Sequence, residues 1–143
     1  MAKLVYQHVF ARGIKESTLQ LGAFSTSLNV RNIRVSKEFY EKLGFKEVGG
    51  DIEQSWLILR NGTTTIGLFQ GMFEQNIMTF NPGWGDNAEQ LQTFDDVREI
   101  QSELKQHGVE LITEADGAGP ASFTLADPDG NQILVDQHVP KPK

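Results

Sequence analysis

The sequence predicts an α+β domain made of two successive βαβββ modules, and three observations carry that prediction. A helical pattern occurs twice: Asn32-Ile33 opens one helix and Gly44-Phe45 closes it, while Asp96-Val97 and Gly108-Val109 bracket the other. The interval from cap to glycine is 12 residues in both copies. Each copy is later followed by a turn dipeptide and an apolar strand: Asn61-Gly62 before residues 64–69, and Asp129-Gly130 before 132–135. A unit of about fifty residues is too long for a helical solenoid repeat, and two copies are too few for an array. The duplication therefore reads as one domain in two halves, with its chemistry expected between them.

Residues 1–22 have no counterpart in the repeat. Leu4, Val5, His8, Val9 and Arg12 allow a short amphipathic helix that Gly13 weakens. This extension is expected to dock on the domain or on a partner. Residues 24–30 alternate as a strand does: Phe24, Thr26, Leu28 and Val30 face one way, and Ser25, Ser27 and Asn29 the other. Asn32 caps the first helix by offering its side-chain oxygen to exposed N–H groups. Ile33, Ser36, Phe39, Tyr40 and Leu43 follow at helical spacing, and Gly44 supplies the left-handed position after the last turn. Residues 45–48 and 55–59 continue the sheet, Asn61-Gly62 is a two-residue hairpin turn, and 64–69 return as the module's fourth strand.

Residues 70–87 form a connection that is long for a compact domain. Its stretch 80–86 is rich in turn residues yet carries Phe80 and Trp84. Residues 88–94 are expected as the first strand of the second module. Asp95 or Asp96 caps the second helix, whose apolar stripe is Val97, Ile100 and Leu104. Strands are expected at 109–112, 121–126 and 131–139, with a turn at Asp127-Pro128-Asp129-Gly130. The domain thus spans 23–139, with modules at 23–70 and 88–139, and the tail beyond Pro140 frays.

A chain of 143 residues fits one domain, able to bury roughly 68–70% of its unfolded surface without disulfide or metal support. It has no cysteine, which excludes disulfides, thiolate metal sites and a cysteine nucleophile and suits a reducing, cytoplasmic location. No run reaches the ~18 apolar residues of a membrane helix. The first residues lack the basic start, apolar run and cleavage site of a signal peptide. Net charge is −6 with scattered basic residues, which excludes the electrostatic footprint of a nucleic-acid binder. A small molecule or another protein is the expected partner, and the acidic balance suits a cationic or neutral ligand.

The repeated residues carry a further likeness. Val30-x-Asn32 leads to Ser36-x-x-Phe39-Tyr40-x-x-Leu43-Gly44-Phe45. Then come Phe94-x-Asp96-Val97, Lys105-Gln106-His107-Gly108-Val109 and Asp127-Pro128-Asp129-Gly130-Asn131-x-Ile133. In these pieces, taken in order, the chain resembles the glyoxalase/bleomycin-resistance/extradiol-dioxygenase superfamily, also called vicinal oxygen chelate proteins, over residues 23–139. The resemblance implies two βαβββ modules forming a curled mixed sheet around a shared cavity, with helices outside. In metal-using members the ligands come from the first and fourth strands of each module. The matching positions here hold Ser25 and Glu89 on first strands, and Gly67 (or Ile66) and Leu134 on fourth strands. Only Glu89 among them can ligate a divalent cation, whereas a stable site needs three or four converging O or N donors.

With those departures, the resemblance implies a metal-independent small-molecule-binding protein with no cofactor, holding an apolar or aromatic compound between the modules. Phe69, Phe80 and Trp84 would form walls, and Ser27, Asn29, Asp136 and His138 polar anchors. Drug-resistance members suggest a homodimer. The alternative is a lyase or isomerase using Glu89 or His138 as general base, with or without a divalent metal. Leu134, Asp136 and His138 share one face of the last strand, where Asp136 would favour a protonated His138; a polar strand end meeting solvent has the same pattern. Phe80 and Trp84 could equally cover a sheet edge or a dimer contact, and Ser27 and Asn29 could simply be solvated.

Overall fold

The computed structural model describes residues 19–142. The helix expected between Leu4 and Arg12 lies outside the described residues. The first half contains β1 (Ala23–Val30), α1 (Ile33–Lys42), β2 (Lys46–Asp51), β3 (Trp56–Asn61) and β4 (Thr64–Gln70). The second contains β5 (Ile77–Asn81), α2 (Val97–Gln106), β6 (Ala121–Ala126) and β7 (Gln132–Gln137). All seven strands join one mixed sheet in the order β2-β3-β4-β1-β5-β7-β6. β1 runs parallel to β4, β5 runs parallel to β7, and β1 meets β5 antiparallel. Exchanging β1 with β5 and β4 with β7 maps one half onto the other. The β1–β5 seam is therefore a pseudo-two-fold axis.

Both helices cover the same side of the sheet. Ile33 of α1 packs on Leu57, Leu59, Ile66 and Leu68. Val97 and Ile100 of α2 pack on Phe123, Leu125 and Val135. Ile66, Thr26, Met78 and Ile133 lie opposite one another along one row across four strands, and residues paired this way share a face. Each fully buried leucine, isoleucine or phenylalanine contributes about 1.5–3 kcal/mol. Among the described residues, the other side of the sheet carries no helix.

The first strand of the second half is β5, not residues 88–94. β5 supplies alternating residues that pair with β1 on one side and β7 on the other. Residues 83–91 instead fold back on themselves: Gly85 N donates to Glu89 O at 2.9 Å, Leu91 N donates to Gly83 O at 2.8 Å, and Trp84 bridges Gln90. The strand expected at 109–112 is also absent, with only a Thr113–Thr124 bridge in its place. Side chains of α2 take up the neighbouring backbone groups. Gln101 accepts from Ala115 N at 2.6 Å and donates to Ala115 O at 3.1 Å. Arg98 donates to the carbonyls of Asp116 and Gly119. A backbone satisfied in this way needs no ladder.

Each helix is tied to the fourth strand of its module by a glutamine. Gln70, at the end of β4, accepts from Ile33 N at 2.8 Å. Gln137, at the end of β7, accepts from Val97 N at 2.8 Å. Both N–H groups belong to the first residue of a helix, where no intrahelical acceptor exists. Asn32 caps α1 through Arg34 N and Val35 N, and Asp96 caps α2 through Arg98 N. Gln137 is fully buried and also donates to Asp96 Oδ1 and Val139 O. Burial pushes the Asp96 carboxyl up, but the bonds from Gln137 and Arg98 outweigh it and hold the group below its ordinary value. Replacing Gln137 by Ala leaves Val97 N–H buried without its acceptor and removes one of the two donors to Asp96 Oδ1, the other being Arg98. The expected loss in denaturant unfolding is about 2–3 kcal/mol. Gln70→Ala, less buried, should lose about 1 kcal/mol.

Candidate functional site

On the helix-free face, the sheet register sets the neighbours of each side chain. Ser27 of β1 lies opposite Gly67 of β4, and Asn29 opposite Phe69. Across the seam the Ser27 and Thr79 hydroxyls hydrogen-bond at 2.9 Å. Matching Gly67 to Leu134 by the pseudo-two-fold makes Ser27 and Thr79 equivalent, because they pair in register with those two residues. Asn29 is occupied by the loop beyond β4: its Nδ2 donates to Glu74 O, and its N–H donates to Asn76 Oδ1.

Three aromatic rings pack beside this floor. Trp56 and Phe69 are stacked with ring centres 6.4 Å apart and planes 9° apart, and Phe73 lies 5.3 Å from Phe69. Gly67 makes the arrangement possible, since a Cβ there would stand 2.5 Å from Phe69 Cε2.

At the opposite end, the folded-back segment 83–91 crosses the sheet. Trp84 O accepts from Ala23 N at 2.9 Å, and Asp86 O accepts from Arg60 Nη2 at 2.8 Å. The Trp84 ring stacks on His138 with centres 5.0 Å apart. His138 Nε2 lies 3.1 Å from Asp136 Oδ2. That bond raises the His138 pKa above its ordinary value, partial burial opposes it, and the Asp136 charge adds to it.

The structure thus brings Asp136, His138 and Trp84 together, and separately brings Phe69 to Trp56. It does not bring Glu89 or Phe80 to either group. The Glu89 carboxylate accepts from Asn87 N at 2.9 Å and closes its own loop. Phe80 is a strand residue, not a loop residue. It lies opposite Phe24 and Val135 on the helix-bearing face, with its ring 5.1 Å from Phe24. Thr79 and Arg60 were not legible as site residues in the sequence. Thr79 lay hidden in what reads as a loop, whereas the Trp56-Leu57-Ile58-Leu59-Arg60 alternation already places Arg60 on the face of Trp56.

Residues 22–135 match the family described as the Glyoxalase/Bleomycin resistance protein/Dioxygenase superfamily. The chain belongs to this superfamily. No curated protein matches it. A superfamily member from Vibrio splendidus 12B01 is similar in structure, at 15% identity over 80% of this chain and 97% of that one, with a TM-score of 0.57. A Legionella pneumophila protein described as an NAD-dependent benzaldehyde dehydrogenase is similar at 16% identity, covering 80% and 98%, with a TM-score of 0.60. The 2,3-dioxygenase LapB from Pseudomonas sp. KL28 is similar at 17% identity, covering 83% of this chain and 43% of that one, with a TM-score of 0.50. At these identities the likeness establishes the fold.

Metal-using members of the superfamily draw their ligands from first and fourth strands. With β5 as the true first strand of the second half, Thr79 replaces Glu89 at that position, and Ser27, not Ser25, stands opposite Gly67, so Ser27, Thr79, Gly67 and Leu134 are the neighbours there. Two hydroxyls, a glycine and a leucine do not fit a divalent ion, which needs three or four strong donors. Among the described residues no three His, Asp or Glu side chains group to hold one.

Two measurements check this geometry. His138 should titrate in NMR with a midpoint above 6.5, and Asp136→Asn should lower it, because the carboxylate charge is removed while burial still opposes protonation. Folded His138 keeps its proton to higher pH than the unfolded chain does. The stabilisation is therefore complete below about pH 6.5 and lost as pH rises through the folded midpoint. Gly67→Ala should displace the Phe69 ring from Trp56, change the tryptophan emission and cost about 1–3 kcal/mol of stability.

Proposed function

We propose that the protein is a metal-independent member of the superfamily that binds a small apolar or aromatic compound on the helix-free face. The observation that carries this reading is the Phe69 ring lying over Gly67. A family ligand position is thereby converted into apolar floor beside Trp56 and Phe73. Ligand sites are mostly apolar with a few placed polar groups, and Asp136 with His138 supplies such a group. Trp84, stacked on His138, supports a role as end wall. Ser27 and Asn29 are partly occupied by Thr79 and by the 74–76 loop, which favours a supporting part for both. Asp136 favours the protonated imidazole, so His138 is better suited to donate a hydrogen bond than to act as general base. The exposed α1 stripe of Val35, Phe39 and Leu43 supports a homodimer within the same reading.

Protein purified without chelator should contain near-zero metal. Stoichiometric zinc, nickel, iron or manganese, lost when Glu89 and His138 are both replaced, would sink the metal-independent reading. A naphthyl compound should quench tryptophan emission, and Trp84→Ala should weaken its binding about tenfold, or about 1.4 kcal/mol. Unchanged affinity would leave Trp84 with a purely structural part.

A further inference from the structure

We propose that the ligand of this face carries an anionic group, a carboxylate or a phosphate, seated on a row formed by Lys46, Arg60, Thr65 and Ser25. The inference rests on reading the helix-free face as the binding site, and it names the ligand's chemical class. Ser25 lies opposite Thr65, Thr65 opposite Arg60, and Arg60 opposite Lys46. One row across four strands therefore presents two hydroxyls and two cations on the same face.

Arg60 is the centre of the argument. Its Nη1 donates to Thr65 Oγ1 at 2.7 Å, and its Nη2 donates to Gly62 O at 3.0 Å and to Asp86 O at 2.8 Å. All three acceptors are uncharged. Arg34, Lys37, Arg98 and Lys105 each have a carboxylate partner; among the described residues neither Arg60 nor Lys46 has one. A guanidinium has five N–H donors in a planar fork, so Nε–H and one Nη1–H remain to be used. The existing bonds hold that fork in one orientation. An incoming anion thus meets one charged N–H already held in place, with Lys46 and the Ser25 and Thr65 hydroxyls beside it on the same row. A half-buried cation facing only dipoles is also costly until a counter-charge arrives.

The same strand supplies the rest of the binding surface. Ile58 and Trp56 follow Arg60 on this face at steps of about 6.6 Å, opposite Gly67 and Phe69. An anion at Arg60 therefore lays an attached ring over Ile58 and toward Trp56. The net charge of −6 had favoured a cationic or neutral ligand. The local row overrides it, because charges beyond about 8–10 Å are largely screened in physiological salt.

Calorimetric titration of the full chain with four related compounds tests the inference: 2-naphthoate, 2-naphthyl phosphate, 2-naphthylmethanol and 2-naphthylmethylamine. At least one anion should bind about tenfold or more tighter than the alcohol, with the amine weakest, and the tighter anion identifies carboxylate or phosphate. Added salt should weaken the anion and leave the alcohol unchanged. Arg60→Gln should bring the anion to the alcohol's affinity, and Lys46→Gln should weaken it about two- to threefold. If Arg60→Gln fails to melt cooperatively, Lys46→Gln at its exposed position, together with the salt series, decides. An alcohol or amine that binds as tightly as both anions overturns the anionic assignment and leaves the aromatic-binding reading standing. Anion binding unchanged in the folded variants does the same. No binding by any of the four overturns both.

Discussion

The fold depends on one hydrogen bond made twice. In each half, a glutamine ending the fourth strand accepts from the first N–H of the helix, Gln70 from Ile33 and Gln137 from Val97. A helix begins with N–H groups that have no partner in the helix. Burying that end against a sheet is costly unless the sheet supplies an acceptor. The glutamine does so from the strand that lies beside the first strand. Helix, first strand and fourth strand are thereby fixed to one another in both modules. The rest of each half is apolar packing on that frame.

The second-half version is the more elaborate. Gln137 bonds Val97 N, Asp96 and Val139 O, and Asp96 in turn bonds Arg98. The network is buried and fully satisfied; among the described residues no buried side-chain polar atom lacks a partner. Such networks specify one arrangement because any other strands a polar group. Arg98 extends this network to the 113–120 segment, whose backbone groups it takes up where the first half has its β2 strand. One outer strand of the second half is thus replaced by side chains of α2, and the described residues contribute seven strands to the sheet.

What was legible in the sequence follows from how local each signal is. Asn32, Gly44 and Asp96 act within a few residues of themselves and behave as their chemistry predicts; the hairpin falls one residue later than expected, with Gly62-Thr63 as its loop and Asn61 still paired with Thr64. β5 was missed because its identity depends on β1 and β7, distant in sequence. Its five residues also run straight into Pro82-Gly83, which marks the region as a turn. β1 ends just before the cap of its helix, and the same spacing carried to the second half falls on 88–94, which folds back on itself. That shift moved Glu89 onto a strand it does not occupy and Phe80 into a loop. Asp136 and His138 escaped the error because they lie on β7 and just beyond it, a segment whose register was read correctly.

The proposed metal-independent reading has a simple physical basis at Gly67. A carboxylate on the fourth strand needs room above the sheet for the ion and its other ligands. A glycine there removes the side chain and opens the same volume. Phe69 then takes that volume, because a ring two residues along on the same face can lie flat over a position with no Cβ. Restoring any side chain at 67 must first displace the ring, which also packs on Trp56, stacked, and on Phe73, tilted. Ser27 and Thr79 across the seam share one hydrogen bond, which leaves one hydroxyl proton between them to point outward. The polar side chains of this face therefore lie at its margins, Asp136 and His138 on one half and Arg60 on the other, and in the proposed reading they do the polar recognition.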